Sequence, residues 1–267
     1  MTRGRRALKA AARFSDRIRP RRLGVVVLCY HRVGADTGSE VDLPPDLFDA
    51  QLAALAASGR VCRLGDALER LAGAGPTDGV VLTFDDGSAD FVDHVVPALV
   101  RHGLPATLYL ATGAVGPGAN TVSGGMPLSW SALAQAVTTG LVEGGSQTQG
   151  HRLLDRADPD PAAVDLDRAI SLITEHLGRV PIDFAYPKAV APSAANAEAV
   201  RRRFRSAALA GTRANVVGRT DPYRLARSPV QVSDGMRYFT AKATGGMALE
   251  DDLRRIANRV RYAGART

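Results

Sequence analysis

Val80-Val81-Leu82-Thr83-Phe84-Asp85-Asp86-Gly87 runs from an unbroken apolar strand pattern straight into two carboxylates and a glycine. The β-branched and aromatic residues mark a core strand, and the glycine lets the chain turn as soon as the strand ends. Asp85 and Asp86 therefore stand at a strand mouth, where core meets pocket. Two acids that close repel one another, and both stay ionised only when a cation or a hydrogen-bond donor compensates one of them. A metal ligand beside a general base meets that requirement. The competing reading is an Asp-Gly turn preceded by a solvated acid, because Asp-Gly is a common turn pair.

Outward from this strand the chain alternates short apolar runs with longer amphipathic stretches. Strands are expected at 24–30, 60–63, 79–84, 106–111, 141–145, 182–186, 205–210 and 228–232, and helices at 46–58, 65–73, 89–102, 130–139, 161–177, 193–203 and 248–262. Repeated βα units imply an α/β fold with a parallel sheet, and this many imply a closed or nearly closed barrel. The segment 112–128, rich in glycine and carrying Pro117 and Pro127, reads as a βα loop over the mouth. The segment 211–227 reads as another, with Arg213, Arg219, Arg224 and Arg227 either solvated or bordering an anionic group.

A second strand end follows Gly140-Leu141-Val142-Glu143-Gly144 and carries Gly145-Ser146-Gln147-Thr148-Gln149-Gly150-His151. Carboxylate and imidazole on separate strand ends suit a borderline ion such as Zn²⁺, which takes N and O ligands and keeps a position open for water. At this point the chain resembles the polysaccharide deacetylase family, also called the NodB-homology family or carbohydrate esterase family four. Its Thr-Phe-Asp-Asp-Gly motif stands unchanged at 83–87. Its His-Ser/Thr-x-x-His motif is matched by Gln147-Thr148-Gln149-Gly150-His151, with one imidazole missing. Val26 to Val33, which contains Tyr30-His31-Arg32-Val33, is similar to the first strand of one branch of the family, and Phe184-Ala185-Tyr186-Pro187 to the third motif of that branch. Leu47 to Leu52, Gly103 to Leu110 and Ser129-Trp130-Ser131 extend the likeness, which spans residues from about 24 to 235.

The resemblance implies a distorted (β/α)7-8 barrel that removes an N-acetyl group from an acetamido sugar or glycan with the help of a divalent metal. Position by position, Asp86 and His151 would bind the metal, with Gln147 in the place of the second histidine. Asp85 would be the general base, and the backbone N–H of Lys188 would stabilise the oxyanion. His31 would be the general acid, since after His176 the chain has no histidine to supply a late motif. His31 also ends an apolar strand parallel to the one ending at Asp85 and so should face the same mouth; the plainer reading has it capping a strand. His94, His102 and His176 read as surface residues.

Three departures bear on activity. Ala185 stands where many members carry an arginine that orients the base, Lys188 where an aromatic residue is usual, and Gln147 where an imidazole belongs. A neutral amide oxygen is a poorer partner for zinc than imidazole, so weakly bound Zn²⁺ is expected. Two other readings stand beside the metal-dependent hydrolase. One is a metal-poor or inactive barrel that binds carbohydrate or serves a complex; the other is different chemistry on Asp85, Asp86 and His31.

Length and composition fit this picture. At 267 residues and 45% hydrophobic content the chain can bury a full core as one domain over 23–267. Residues 1–22 form a basic tail, with nine Lys/Arg against Asp16, which accounts for the whole net charge of +7. The remainder is nearly neutral, so no nucleic-acid surface is expected on the barrel. Arg5, Lys9, Arg13 and Arg17 share one helical face of the tail, with Leu8, Ala11, Phe14 and Ile18 on the other. Such a helix is able to touch an anionic membrane surface weakly or to dock a partner, though a solvated helix is the simpler reading, and an organellar transit peptide would share its composition. No obligate protein partner is expected. Cys29 and Cys62 lack CxxC spacing and read as buried free thiols. With no secretory signal pattern and no apolar run of bilayer length, a cytoplasmic location is expected.

Overall fold

The computed structural model describes residues 3–16, 24–122 and 124–251. Seven parallel strands close into a barrel: β1 (Val25–Tyr30), β4 (Gly79–Asp86), β5 (Ala106–Leu110), β6 (Val142–Ser146), β7 (Asp183–Ala185), β8 (Ser206–Ala210) and β9 (Leu225–Pro229), with β9 returning to pair with β1. A two-stranded ribbon of β2 (Arg32–Val33) and β3 (Asp42–Leu43) lies outside the ring. The helices are α1 (Arg3–Ser15), α2 (Pro45–Ser58), α3 (Leu64–Leu71), α4 (Val96–His102), α5 (Trp130–Thr138), α6 (Pro159–Leu177), α7 (Ala194–Arg201) and α8 (Gly235–Ala243). No helix among the described residues is long and apolar enough to cross a membrane.

Every residue of β1 and β4 is buried, which is why both read as continuous apolar runs: a parallel strand meets core on both faces. Their alternation still sorts the side chains. Val26, Leu28, Tyr30, Val80, Leu82 and Phe84 belong to the layer under the helices, whereas Val25, Val27, Val81, Tyr109, Ala185, Ala208 and Leu225 pack together inside the ring. Leu64, Ala67 and Leu71 of α3 join that inner cluster. In the outer layer Tyr30 stacks on Phe84 with centroids 5.2 Å apart, and Phe48 and Phe91 meet Phe84 edge-on at 6.0 and 5.2 Å. Such pairs add about 0.5–1.5 kcal/mol each beyond burial. Because Phe84 points outward into this cluster, its neighbour Asp85 is held facing inward.

Several expectations are corrected. The strand expected at 60–63 is an isolated bridge from Val61 to Val80, and the last strand begins at Leu225 instead of 228, ending where Pro229 removes a donor. The helix expected over 89–102 opens with one wide turn, Phe91–Val95, before α4, because Pro97 has no N–H to offer to the carbonyl four residues back. Helix α8 was not foreseen. Of the helix expected at 248–262, residues 248–251 are helical and the rest lies outside the described residues.

The basic tail differs from a solvated helix. Lys9 is fully buried, paired with Asp234 and 3.8 Å from Glu250, while Lys242 of α8 meets the same two acids at 2.8 and 3.7 Å. Asp16 accepts hydrogen bonds from the Met247 N–H at 2.9 and 3.0 Å. The face bearing Lys9 is thus docked on α8. Arg17 and Ile18 lie outside the described residues.

Candidate active site

All six residues singled out by the sequence, His31, Asp85, Asp86, Gln147, His151 and Lys188, line one cavity of about 430 Å³ at the carboxyl ends of the strands. Asp85 and Asp86 end β4, Gln147 follows β6, and His31 follows β1. The loop bearing His151 is pinned by Asp165 of α6, whose carboxylate accepts from the N–H groups of Gln149 and Gly150 at 2.9 and 3.1 Å.

The sequence missed the residue that governs Asp85. Arg227 is buried inside the ring on β9 and donates from Nη1 and Nη2 to the two oxygens of Asp85 at 2.5 and 2.8 Å. Nη1 also reaches Thr83 Oγ1 at 3.3 Å, and the guanidinium lies over the Tyr109 ring, 5.2 Å from its centroid. Tyr109 in turn needs a glycine beside it, since a Cβ on Gly145 would come within 2.6 Å of the ring. Burial acts to raise the Asp85 pKa, but the paired guanidinium prevails and holds it below the ordinary carboxylate value. Asp85 is therefore ionised at neutral pH and fixed in orientation by a planar fork. The arginine absent at Ala185 has its counterpart here, from a different strand. Arg227 is the one member of the 211–227 group that sits in a strand; Arg213 is a partly exposed loop residue paired with Asp251 at 3.7 Å.

Gln147 is fully engaged with the acid pair. Its Oε1 accepts from the Asp86 N–H at 3.1 Å and its Nε2 donates to Asp85 Oδ2 at 3.3 Å. The partners fix the amide orientation, because an N–H requires the oxygen and a carboxylate requires the NH₂. On the other side, His151 Nε2 stands 3.7 Å from Asp86 Oδ1. Burial lowers the His151 pKa against the opposing pull of Asp86, which favours the neutral imidazole that ligates metals. Two tetrahedral zinc ligands at about 2.0–2.1 Å from the ion lie roughly 3.4 Å apart, so Asp86 and His151 fit a divalent cation between them. Gln147 Oε1 is turned to the Asp86 backbone.

Cys29, His31 and Asp85 also bring potential ligand atoms within 4.8 Å of one another. Cys29 and Cys62 are buried free thiols, as expected, and the Cys29 thiol in addition lines the cavity, 3.5 Å from Asp85 Oδ2. Among the other histidines, His94 and His176 are exposed, whereas His102 is half-buried and bonded to Asp49 at 3.0 Å.

Backbone strain gathers around the same cavity. Asp86, His151, Lys188 and Ala189, none of them glycine, have φ of 77°, 49°, 50° and 54°. Such conformations cost of order 1–3 kcal/mol each and persist where the surrounding structure over-determines them, commonly at functional sites. The turn through Lys188 is closed by the Ala189 N–H bonding to Tyr186 C=O at 2.8 Å and the Val190 N–H to Pro187 C=O at 3.2 Å.

Comparison with known proteins agrees with this geometry. Among solved structures, IcaB from Ammonifex degensii superposes with a TM-score of 0.72 at 26% identity, covering 84% of this chain and 98% of that one. The deacetylase PplD from Streptococcus pyogenes, solved in complex with acetate, gives 0.69 at 20% identity over 83% and 99% of the two chains. BA0330 from Bacillus anthracis gives 0.70 at 19% over 83% and 69%. The last two bear on the fold alone. No curated protein matches the chain. The sequence profile described as polysaccharide deacetylase matches residues 72–206, half of the chain, and takes in the acid pair, the His151 loop and the Phe-Ala-Tyr-Pro turn. A seven-stranded barrel with that profile running through its cavity places the chain in the polysaccharide deacetylase family of hydrolases.

Proposed function

We propose that this protein is a metal-dependent hydrolase that removes the acetyl group from an acetamido sugar within a glycan. The observation that carries the reading is the pairing, in one cavity, of an ionised and oriented Asp85 with an Asp86–His151 gap of cation size. Asp86 and His151 would hold the divalent cation, with Zn²⁺ favoured by the N and O donor set, and Gln147 Oε1 would join as a weaker third ligand only by turning from the Asp86 N–H. A cation there supplies Lewis acidity toward the acetyl carbonyl and lowers the pKa of a nearby water.

The remaining chemistry belongs to the chain. Asp85 takes a proton from the attacking water, and the Arg227 fork keeps its carboxylate aimed into the cavity as it does so. The Lys188 N–H donates to the oxyanion that develops on the carbonyl oxygen. His31, which lines the same cavity as Asp85, returns a proton to the departing amine. Asp85→Asn, an isosteric change, should keep the fold and the Zn²⁺ held by Asp86 and His151, yet release acetate from an N-acetylglucosamine oligomer at least a hundredfold more slowly. Acetate release at the wild-type rate would show that Asp85 is not the base.

A second reading has one observation in its favour. The Gln147 amide is spent on the acid pair, which suits a metal-poor barrel that binds glycan without hydrolysing it. Tight binding of the oligomer with no acetate release at saturating Zn²⁺ would establish that reading.

A further inference from the structure

The mouth of the barrel holds a second set of donors that the reaction above leaves partly unused. Cys29 Sγ stands 3.5 Å from Asp85 Oδ2, and a ring nitrogen of His31 completes a group whose ligand atoms all lie within 4.8 Å. A tetrahedral ion with a Zn–S bond of about 2.3 Å and a Zn–O bond of about 2.0 Å sets sulfur and oxygen roughly 3.5 Å apart. The observed spacing equals that value before any side chain moves. His31 Nδ1 is buried without a hydrogen-bond partner among the described residues, which costs about 1–3 kcal/mol unless something occupies it.

We propose that Cys29, His31 and Asp85 form a second cation position, separate from the Asp86–His151 gap and selective for a borderline-soft divalent ion such as Zn²⁺ over Mg²⁺ or Ca²⁺. Selectivity follows from the donors, since a thiolate and an imidazole suit zinc or cobalt and a hard ion prefers oxygen. Binding expels the thiol proton to solvent and replaces the S–H contact to Asp85 with sulfur–metal and oxygen–metal bonds. Thiolate and carboxylate then carry two negative charges against the three positive charges of the dication and Arg227. Arg227, 2.5 and 2.8 Å from the Asp85 oxygens, opposes a cation there, so this position fills after the Asp86–His151 gap. On the proposed reaction, filling it engages both the base and the acid, and zinc in excess silences turnover.

The position itself is tested without turnover. Co²⁺ is titrated into the metal-stripped full-length protein while the thiolate-to-cobalt charge-transfer absorption in the near ultraviolet is followed. The band should grow in after the first equivalent and be lost in Cys29→Ser. Cys62→Ser, in which Cys29 is the sole remaining thiol, should keep it, and this arm leaves β1 unaltered. No band in Cys62→Ser at saturating Co²⁺, or a band that survives in Cys29→Ser, would overturn the proposal. Neither result depends on acetate release.

Discussion

Asp85 reaches the cavity as a carboxylate because Arg227 meets both of its oxygens, against a burial that works in the other direction. A carboxyl whose folded pKa is lowered contributes stability above its unfolded value of about 3.9, and that stability is lost as pH falls through the folded value. In Arg227→Met the largest cause that lowers the Asp85 pKa is gone and burial outweighs the remaining contacts from Cys29 and Gln147, so the acid limb of the kcat/KM profile should move upward by at least about one pH unit. The same variant leaves a buried charge unpaired and should unfold about 3 kcal/mol more easily at neutral pH, which a denaturant titration reads. An unmoved acid limb would mean that another group sets it. Gln147→His exchanges a bridge between Asp85 and Asp86 for an imidazole four residues before His151. Its Zn²⁺ affinity, read by calorimetry, should rise at least tenfold, and equal affinities would show that residue 147 does not face the ion. Asp85, Asp86 and His31 were legible because chemistry-bearing residues directly after apolar runs mark strand mouths, and His151, beyond the end of β6, because it stands at the last position of a family motif. Arg227 was not, because an arginine among three others beside a Pro-Tyr turn looks like loop charge. Its only local signal is the short run Leu225-Ala226-Arg227-Ser228, and what makes it a strand is pairing with β8 on one side and, on the other, with β1 two hundred positions away.

At the scale of elements, what could be read depended on how far each segment's own pattern agrees with its surroundings. Strands β1, β4 and β5 sit within two residues of expectation because burial on both faces leaves an apolar run that no helix period imitates. Residues 60–63 have only Val61 and Cys62 between two arginines and pair at a single bridge, and α8 went unread because it opens on Gly235 and carries Lys242 inside the protein. The basic helix α1 showed its periodicity, while its purpose lay in Asp234 and Glu250, far along the chain. Burial acts to depress the Lys242 pKa, against the pull of Asp234 and Glu250. A second lysine in the same cluster is tolerated only because two acids answer two ammonium groups. Lys9→Ala breaks that balance and should cost about 3 kcal/mol of stability, with acetate release at low temperature unchanged because the cluster lies outside the cavity. A variant as stable as the wild type would show that α1 rests on its apolar contacts alone.

For the molecule as a whole, a closed ring of seven strands turns inward-facing polar side chains into a site and leaves the outward-facing ones to the helices. The ring brings β1, β4, β6 and β9 to one cavity, so that His31, Asp85, Asp86, Gln147 and Arg227 meet there from four strands. The central claim is that this cavity deacetylates with a cation held by Asp86 and His151. Its most direct test is acetate release from an N-acetylglucosamine oligomer by metal-stripped protein as Zn²⁺ is returned from zero to one equivalent. The account predicts no release without metal and a rate that climbs with occupancy to a plateau. Release that persists after stripping, or none at full occupancy, would contradict it.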